Sequence, residues 1–160
     1  MFSSLTSSAF LLACLTLAQT SPKLDPVTSH QVCSAVELFA ETQHFEPELI
    51  AAMGWVESRF NPEAVSRSGA RGVMQVILGK RWSPAYSVED MLDPWLSVEA
   101  GVLMALRWRD KRGAIWLDCY NTGTRCRKGA YRRSLSSVRS DIVKSRRSYE
   151  RGHSVAWGDR

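Results

Sequence analysis

Glu57 is the residue whose type and placement best suit acid–base chemistry in this chain of 160 residues. Pro47 fits the first turn of a helix. Leu49, Ile50, Met53 and Val56 then recur at helical spacing. With about 100° of rotation per residue, Glu57 falls about 40° from Met53 and about 20° from Ile50 around the axis. It therefore projects from the apolar stripe. A carboxylate there must find a partner or keep its proton, because loss of water disfavours the charged form. A carboxyl group still protonated near neutral pH is what a general acid requires. The structural alternative is a glutamate at a helix end, satisfied by Arg59 or Arg71.

Other chemistries find little support. His30, His44 and His153 are scattered without metal-ligand spacing, so no metal or cofactor is expected. No phosphate-cradling glycine loop, nucleophile elbow or Cys-x-x-Cys pair occurs. Trp55, Trp82, Trp95, Trp108 and Trp116 are candidates for stacking on sugars, with Trp82 the best placed to be exposed.

The elements that must position Glu57 read as mostly α. Thr28 with Gln31 resembles a capping box, opening a helix through Val32, Val36 and Phe39. The Glu57 helix should stop before Asn61-Pro62. A small hairpin is expected within Ser66 to Ile77. Helical spacing returns from Val98 through Leu106, again from Ile115 to Tyr120 closing at Gly123, and in a final basic helix through Leu135, Val138 and Ile142. One domain is expected, spanning 28–150, with a linker at 19–27 and a tail at 151–160.

The apolar run Ala9 to Ala18 is far too short to span a bilayer, which takes about 20 residues. It reads as the core of an export signal covering 1–18, although no positive charge precedes it. Leu11-Leu12-Ala13-Cys14 also resembles a lipobox, which would attach lipid at Cys14. Loss or acylation of Cys14 leaves Cys33, Cys119 and Cys126, enough for one bridge, with all three pairings open. Location is thus expected to be exported, periplasmic or extracellular, with membrane contact only through signal or lipid.

Charge is uneven. Residues 107–160 hold fifteen of the 21 basic side chains against five acidic ones, a balance of +10, while the rest of the chain carries −5. An anionic partner for the C-terminal part is one reading, and a solvated basic face is the other. Arg125, Arg127, Lys128, Arg132 and Arg133 form the densest cluster.

Several linked blocks carry a resemblance. Glu57-Ser58-Arg59-Phe60-Asn61-Pro62-Glu63-Ala64-Val65-Ser66, followed by Gly69-Ala70-Arg71-Gly72-Val73-Met74-Gln75, closely resembles the signature of the soluble lytic transglycosylase family. Pro47 to Ala52 looks like its lead-in helix, Leu92-Asp93-Pro94 with Gly101 like its next block, and Tyr120-Asn121-Thr122-Gly123 like its Tyr-Asn-Ala-Gly block.

The resemblance implies a lysozyme-like, mainly α fold with a glycan cleft. It implies cleavage of the β-1,4 bond between N-acetylmuramic acid and N-acetylglucosamine. Glu57 matches the catalytic acid; Ser66, Met74, Gln75, Tyr120 and Asn121 match residues lining the sugar sites. Two departures stand out. Ser97 replaces the family's usual Asn, and Asp118-Cys119 replaces small apolar residues. Asp118 lies about 200° from Tyr120 on a helix and should face away from Glu57. That leaves a single acid, where ordinary glycosidases use two. The implied partner is the peptidoglycan glycan strand, in the service of a secretion, conjugation or phage assembly; nucleic acid is not an expected partner. A hydrolytic muramidase with the same acid, and a non-catalytic binding module for glycan or nucleic acid, are the rival readings.

Overall fold

The computed structural model describes residues 8–79, 85–127 and 129–157. Six α-helices and one short hairpin make up the described architecture: α1 (Ala9–Ala18), α2 (Pro26–Thr42), α3 (Pro47–Ser58), β1 (Ala70–Arg71), β2 (Val76–Ile77), α4 (Pro94–Arg112), α5 (Trp116–Thr122) and α6 (Ala130–Trp157). This is the mainly α class the sequence predicts. The hairpin is antiparallel, pairing Ala70 with Ile77 and Arg71 with Val76.

The helix starts follow local chemistry. α2 opens at Pro26, capped by Asp25, whose carboxylate accepts from the amides of Val27 and Thr28. The cap predicted at Thr28 is thus displaced: a carboxylate followed by proline at the first helical position outcompetes a threonine already inside the turn. α4 begins the same way, with Asp93 accepting from Leu96 ahead of Pro94.

α3 ends earlier than the proline alone requires. Arg59 and Phe60 both take positive φ, 56° and 63°, a conformation that costs free energy in side-chain-bearing residues. The return is burial of Phe60, which is fully inaccessible and lies edge-on to Trp55 at 5.3 Å. Gly54 leaves the room it needs; a Cβ there would stand 3.2 Å from the Phe60 ring. The last turn of α3, with Glu57 in it, is thereby fixed against the core.

That core joins Val32 and Val36 of α2, Ile50 and Met53 of α3, Val98 and Val102 of α4 and Ile142 of α6, all nearly inaccessible. Two close approaches tie the hairpin to α4. Gly101 sits where a Cβ would come within 2.1 Å of the Met74 side chain. Ser97, fully buried, accepts a 2.8 Å hydrogen bond from the Val73 amide. The serine standing at the family's asparagine position therefore keeps a partner: the backbone comes close enough for a hydroxyl, and Gly72 packs directly on it.

The N-terminal apolar run is part of this packing. Phe10, Leu11, Ala13, Cys14 and Ala18 are buried, α1 lies against α2 and α6, and Thr16 shares a 2.7 Å hydrogen bond with Tyr149. Cys14 is bridged to Cys33 and Cys119 to Cys126. The count of one bridge among three thiols is corrected to two bridges among four. A sulfur already in a disulfide has no valence left for a lipid thioether. Among the described residues, no helix is long and apolar enough to cross a membrane.

Candidate active site

Glu57, in the last turn of α3, opens onto a cleft of about 450 Å³. One wall comes from the chain just after α3 and from the hairpin: Ser66, Ser68, Ala70, Gln75 and Ile77. The other comes from α4 and α5, through Met104, Trp108, Tyr120, Asn121, Thr122 and Gly123. Glu57 is the single carboxylate on this surface among the described residues.

Burial raises the proton affinity of Glu57, bringing its pKa to about 7. Tyr131 and Asn121 act in the opposite direction as donors facing the carboxyl, and desolvation outweighs them. Met104 and Trp108, both buried, form the apolar part of the wall. The sequence argument for a glutamate facing apolar side chains is therefore matched by its surroundings. Neither Arg59 nor Arg71 is paired with it among the described residues; Arg59 instead lies over the Trp55 ring at 4.8 Å.

The hairpin wall is braced by hydrogen bonds. Ser58 donates to the Val73 carbonyl at 2.8 Å, joining the end of α3 to the turn. Gln75 holds a positive φ of 50°, and its side-chain amide donates to the carbonyls of Ala64 and Gly72, both at 3.1 Å. The Ser66 hydroxyl accepts from the Ala70 amide at 3.0 Å.

The opposite wall hangs on Tyr120, whose hydroxyl donates to the Met74 carbonyl at 2.8 Å. Burial and the nearby Glu57 charge keep its phenol protonated. The Cys119–Cys126 disulfide closes a ring around Tyr120 and Asn121. Within it, the Thr122 hydroxyl donates to the Asp118 carbonyl and accepts from the Arg127 amide at 2.9 Å.

The structure thus brings together Glu57, Ser66, Gln75, Tyr120 and Asn121. Met74 is different. Its side chain is fully buried against Gly101, and only its backbone carbonyl meets a cleft residue. An apolar side chain facing a glycine on a packed helix lowers its free energy by filling that space, so it turns inward. Asp118 faces away, as its helical angle predicts; it is nearly inaccessible and pairs with Arg132 at 2.8 Å. Trp82 and Lys128 lie outside the described residues. No group of three or more metal-ligating side chains occurs among the described residues.

Tyr131 is absent from the sequence-derived set. It stands in the first turn of α6, buried, with its hydroxyl turned to the Glu57 carboxyl and no hydrogen bond of ordinary length closed. A signal existed: Tyr131 precedes Leu135, Val138 and Ile142 by helical intervals, so it extends their apolar face back toward the Tyr-Asn block.

A second hollow of about 430 Å³ lies between α4, α5 and α6, with Phe45, Trp116 and Leu135 in its lining. Its arginines are engaged: Arg109 with the carbonyls of Gln43 and His44, Arg132 with Asp118, Arg139 with Glu46.

Residues 35–141 match the model of the Transglycosylase SLT domain family. The chain belongs to that family. Its mainly α architecture with a small hairpin is the lysozyme-like fold of SLT domains. Among curated relatives, the membrane-bound lytic murein transglycosylase F of Pseudomonas putida strain GB-1 is 30% identical over 95 residues, 54% of this chain and 19% of that protein. The protein of the same name from Serratia proteamaculans is 38% identical over 85 residues, 48% of this chain and 17% of its own length. The one from Stutzerimonas stutzeri is 43% identical over 53 residues, 33% of this chain and 10% of its own. The chain thus spans less than a fifth of the length of these relatives.

Proposed function

We propose that this SLT domain is a peptidoglycan lytic transglycosylase that cuts the β-1,4 bond between N-acetylmuramic acid and N-acetylglucosamine. The observation that carries the reading is Glu57, alone among the cleft's described residues as a carboxylate and protonated up to a pKa of about 7. The names of the relatives point to the same polymer.

In this reading Glu57 gives its proton to the glycosidic oxygen as the bond from the muramic acid C1 to that oxygen breaks. The substrate's own N-acetyl group supports the cation forming at C1, in place of a second carboxylate. Glu57, now ionised, takes the proton of the C6 hydroxyl while that oxygen bonds to C1. The carboxyl ends protonated again, and the products are a free N-acetylglucosamine end and a 1,6-anhydromuramic acid end. No water is consumed. Ser66, Gln75, Asn121 and Tyr120 hold the sugars across the scissile bond, and positioning supplies much of the acceleration. Met74 acts through its backbone, as the anchor of Tyr120.

The site of action is the wall after export, in the service of local opening or remodelling by a secretion, conjugation or phage assembly. The Cys119–Cys126 disulfide, outside the apolar run of 1–18, favours an oxidising compartment.

The deciding experiment is digestion of purified sacculi followed by mass spectrometry of the released muropeptides. Anhydro ends, lighter by one water than reducing ends, are expected from the wild type and none from Glu57→Gln. Reducing ends instead would make the enzyme a hydrolase, and equal cleavage by the variant would remove Glu57 from the mechanism.

A further inference from the structure

Three arginines stand at the margins of the Glu57 cleft without an acidic partner. Arg67 lies between Ser66 and Ser68, both of which line the hairpin wall, and it is exposed. Arg125 closes the short 3-10 turn that begins at Gly123, a residue of the opposite wall, and is exposed too. Arg127 is exposed, and its amide is hydrogen-bonded to Thr122, also on that wall. None of the three forms an ion pair among the described residues, in contrast to Arg132, Arg139 and Arg146, which are paired with Asp118, Glu46 and Glu48.

The loop bearing Arg125 and Arg127 is also held in place. Cys119–Cys126 clamps it to α5, and the Thr122–Arg127 hydrogen bond holds it a second time. An arginine on a held backbone gives up less conformational freedom on engaging an anion than one on a loose loop. Among the described residues the cleft between these lips carries one carboxylate, and burial raises its pKa to about 7, so that it is neutral in about half the molecules at pH 7. The approach is therefore cationic on both sides with little opposing negative charge.

We infer that Arg67, Arg125 and Arg127 recognise carboxylates borne by the lactyl arms and stem peptides of the strand, so that the preferred substrate is the anionic, peptide-bearing polymer. This rests on the glycan reading of the Glu57 cleft and adds a substrate class to it. The sugar rings pass between the walls, while the carboxylates of their side arms meet guanidinium groups outside them. Guanidinium–carboxylate pairs of this exposed kind are individually weak and sensitive to salt. Three together should amount to about a tenfold gain in binding at low ionic strength.

The test separates binding from cleavage. Co-sedimentation with sacculi uses the full chain carrying Glu57→Gln, with and without Arg67→Gln, Arg125→Gln and Arg127→Gln together. The charge-matched control is Arg133→Gln, Lys144→Gln and Arg147→Gln, three exposed positions on α6. Two substrates are compared: intact sacculi, and sacculi whose carboxylates have been converted to methylamides with a carbodiimide.

The lip variant should bind intact sacculi about tenfold more weakly at low salt, and should match its parent on the amidated ones. The control should bind both like the parent. Equal loss in the control, unchanged binding in the lip variant, or the same loss on amidated sacculi would each overturn the inference. Cleavage by the Glu57-containing chain is read in parallel. Charge-dependent binding without anhydro ends would overturn the catalytic reading and leave the lip assignment standing.

Discussion

Tyr131 and Glu57 face each other from different helices: a buried phenol in the first turn of α6 is turned to a carboxyl in the last turn of α3. The phenol favours the ionised carboxylate, whereas the desolvating walls favour the acid, and the walls prevail. Tyr131, together with Asn121, limits how far burial lifts Glu57 above its ordinary range.

The pH profile of cleavage follows from that balance. Glu57 must start protonated, so kcat/KM should fall as pH rises through about 7. Tyr131→Phe removes a donor to the carboxylate and should move this alkaline limb upward. A limb that stays in place, measured on solubilised glycan strands across pH 5 to 9, would deny Tyr131 this role.

Removing the acid should affect catalysis and stability in opposite directions. Glu57→Gln should lower the cleavage rate by about 10² to 10⁴, the usual contribution of a positioned general acid. Because the folded-state pKa is raised above 4.5 to about 7, the wild type is most favoured when Glu57 is neutral and loses stability as pH rises between those values. Glutamine cannot ionise. The variant should therefore match the wild type near pH 4 and exceed it by about 3 kcal/mol at pH 8 in urea unfolding.

Asp118 offers the complementary case. It is nearly inaccessible and tied to Arg132, away from the cleft. Asp118→Ala should destabilise the fold by about 2 kcal/mol through the unpaired guanidinium and lost hydrogen bonds. Its cleavage rate below the unfolding temperature should stay within a few-fold of wild type. A loss as deep as that of Glu57→Gln would make Asp118 a second catalytic carboxylate.

The seam between hairpin and α4 should tolerate no added methyl group. Gly101→Ala places a carbon 2.1 Å from the Met74 side chain, and overpacking of this kind costs about 1–3 kcal/mol. Met74→Gly in the same chain, which removes the Cβ that the added methyl meets, should recover part of that loss. Thermal unfolding of the two single variants and the double variant measures the coupling; strict additivity would place the two residues apart.

Much of this site was legible before any coordinates, for a physical reason. Glu57, Ser66 and Gln75 belong to one continuous stretch, and Tyr120 and Asn121 to another, so local spacing displays them together. Residues whose role arises only from packing were not. Met74 reads as a cleft residue until Gly101, far along the chain, is seen to leave a hole that it fills. Tyr131 sits amid Arg132 and Arg133, and its neighbours' charge hides the apolar face it shares. Cys14 reads as part of a short apolar address, and only the approach of α1 to α2 places its sulfur beside Cys33.

The ring closed by Cys119 and Cys126 has a mechanical consequence. α5 is a single short helix, Trp116–Thr122, of a length that would unravel readily from its end. Covalent closure holds that end, so thermal fraying cannot carry Tyr120 and Asn121 away from the opposite wall. A polymer pulled through under load would therefore meet a wall whose end resists unwinding, while the Tyr120–Met74 hydrogen bond ties that wall to the hairpin.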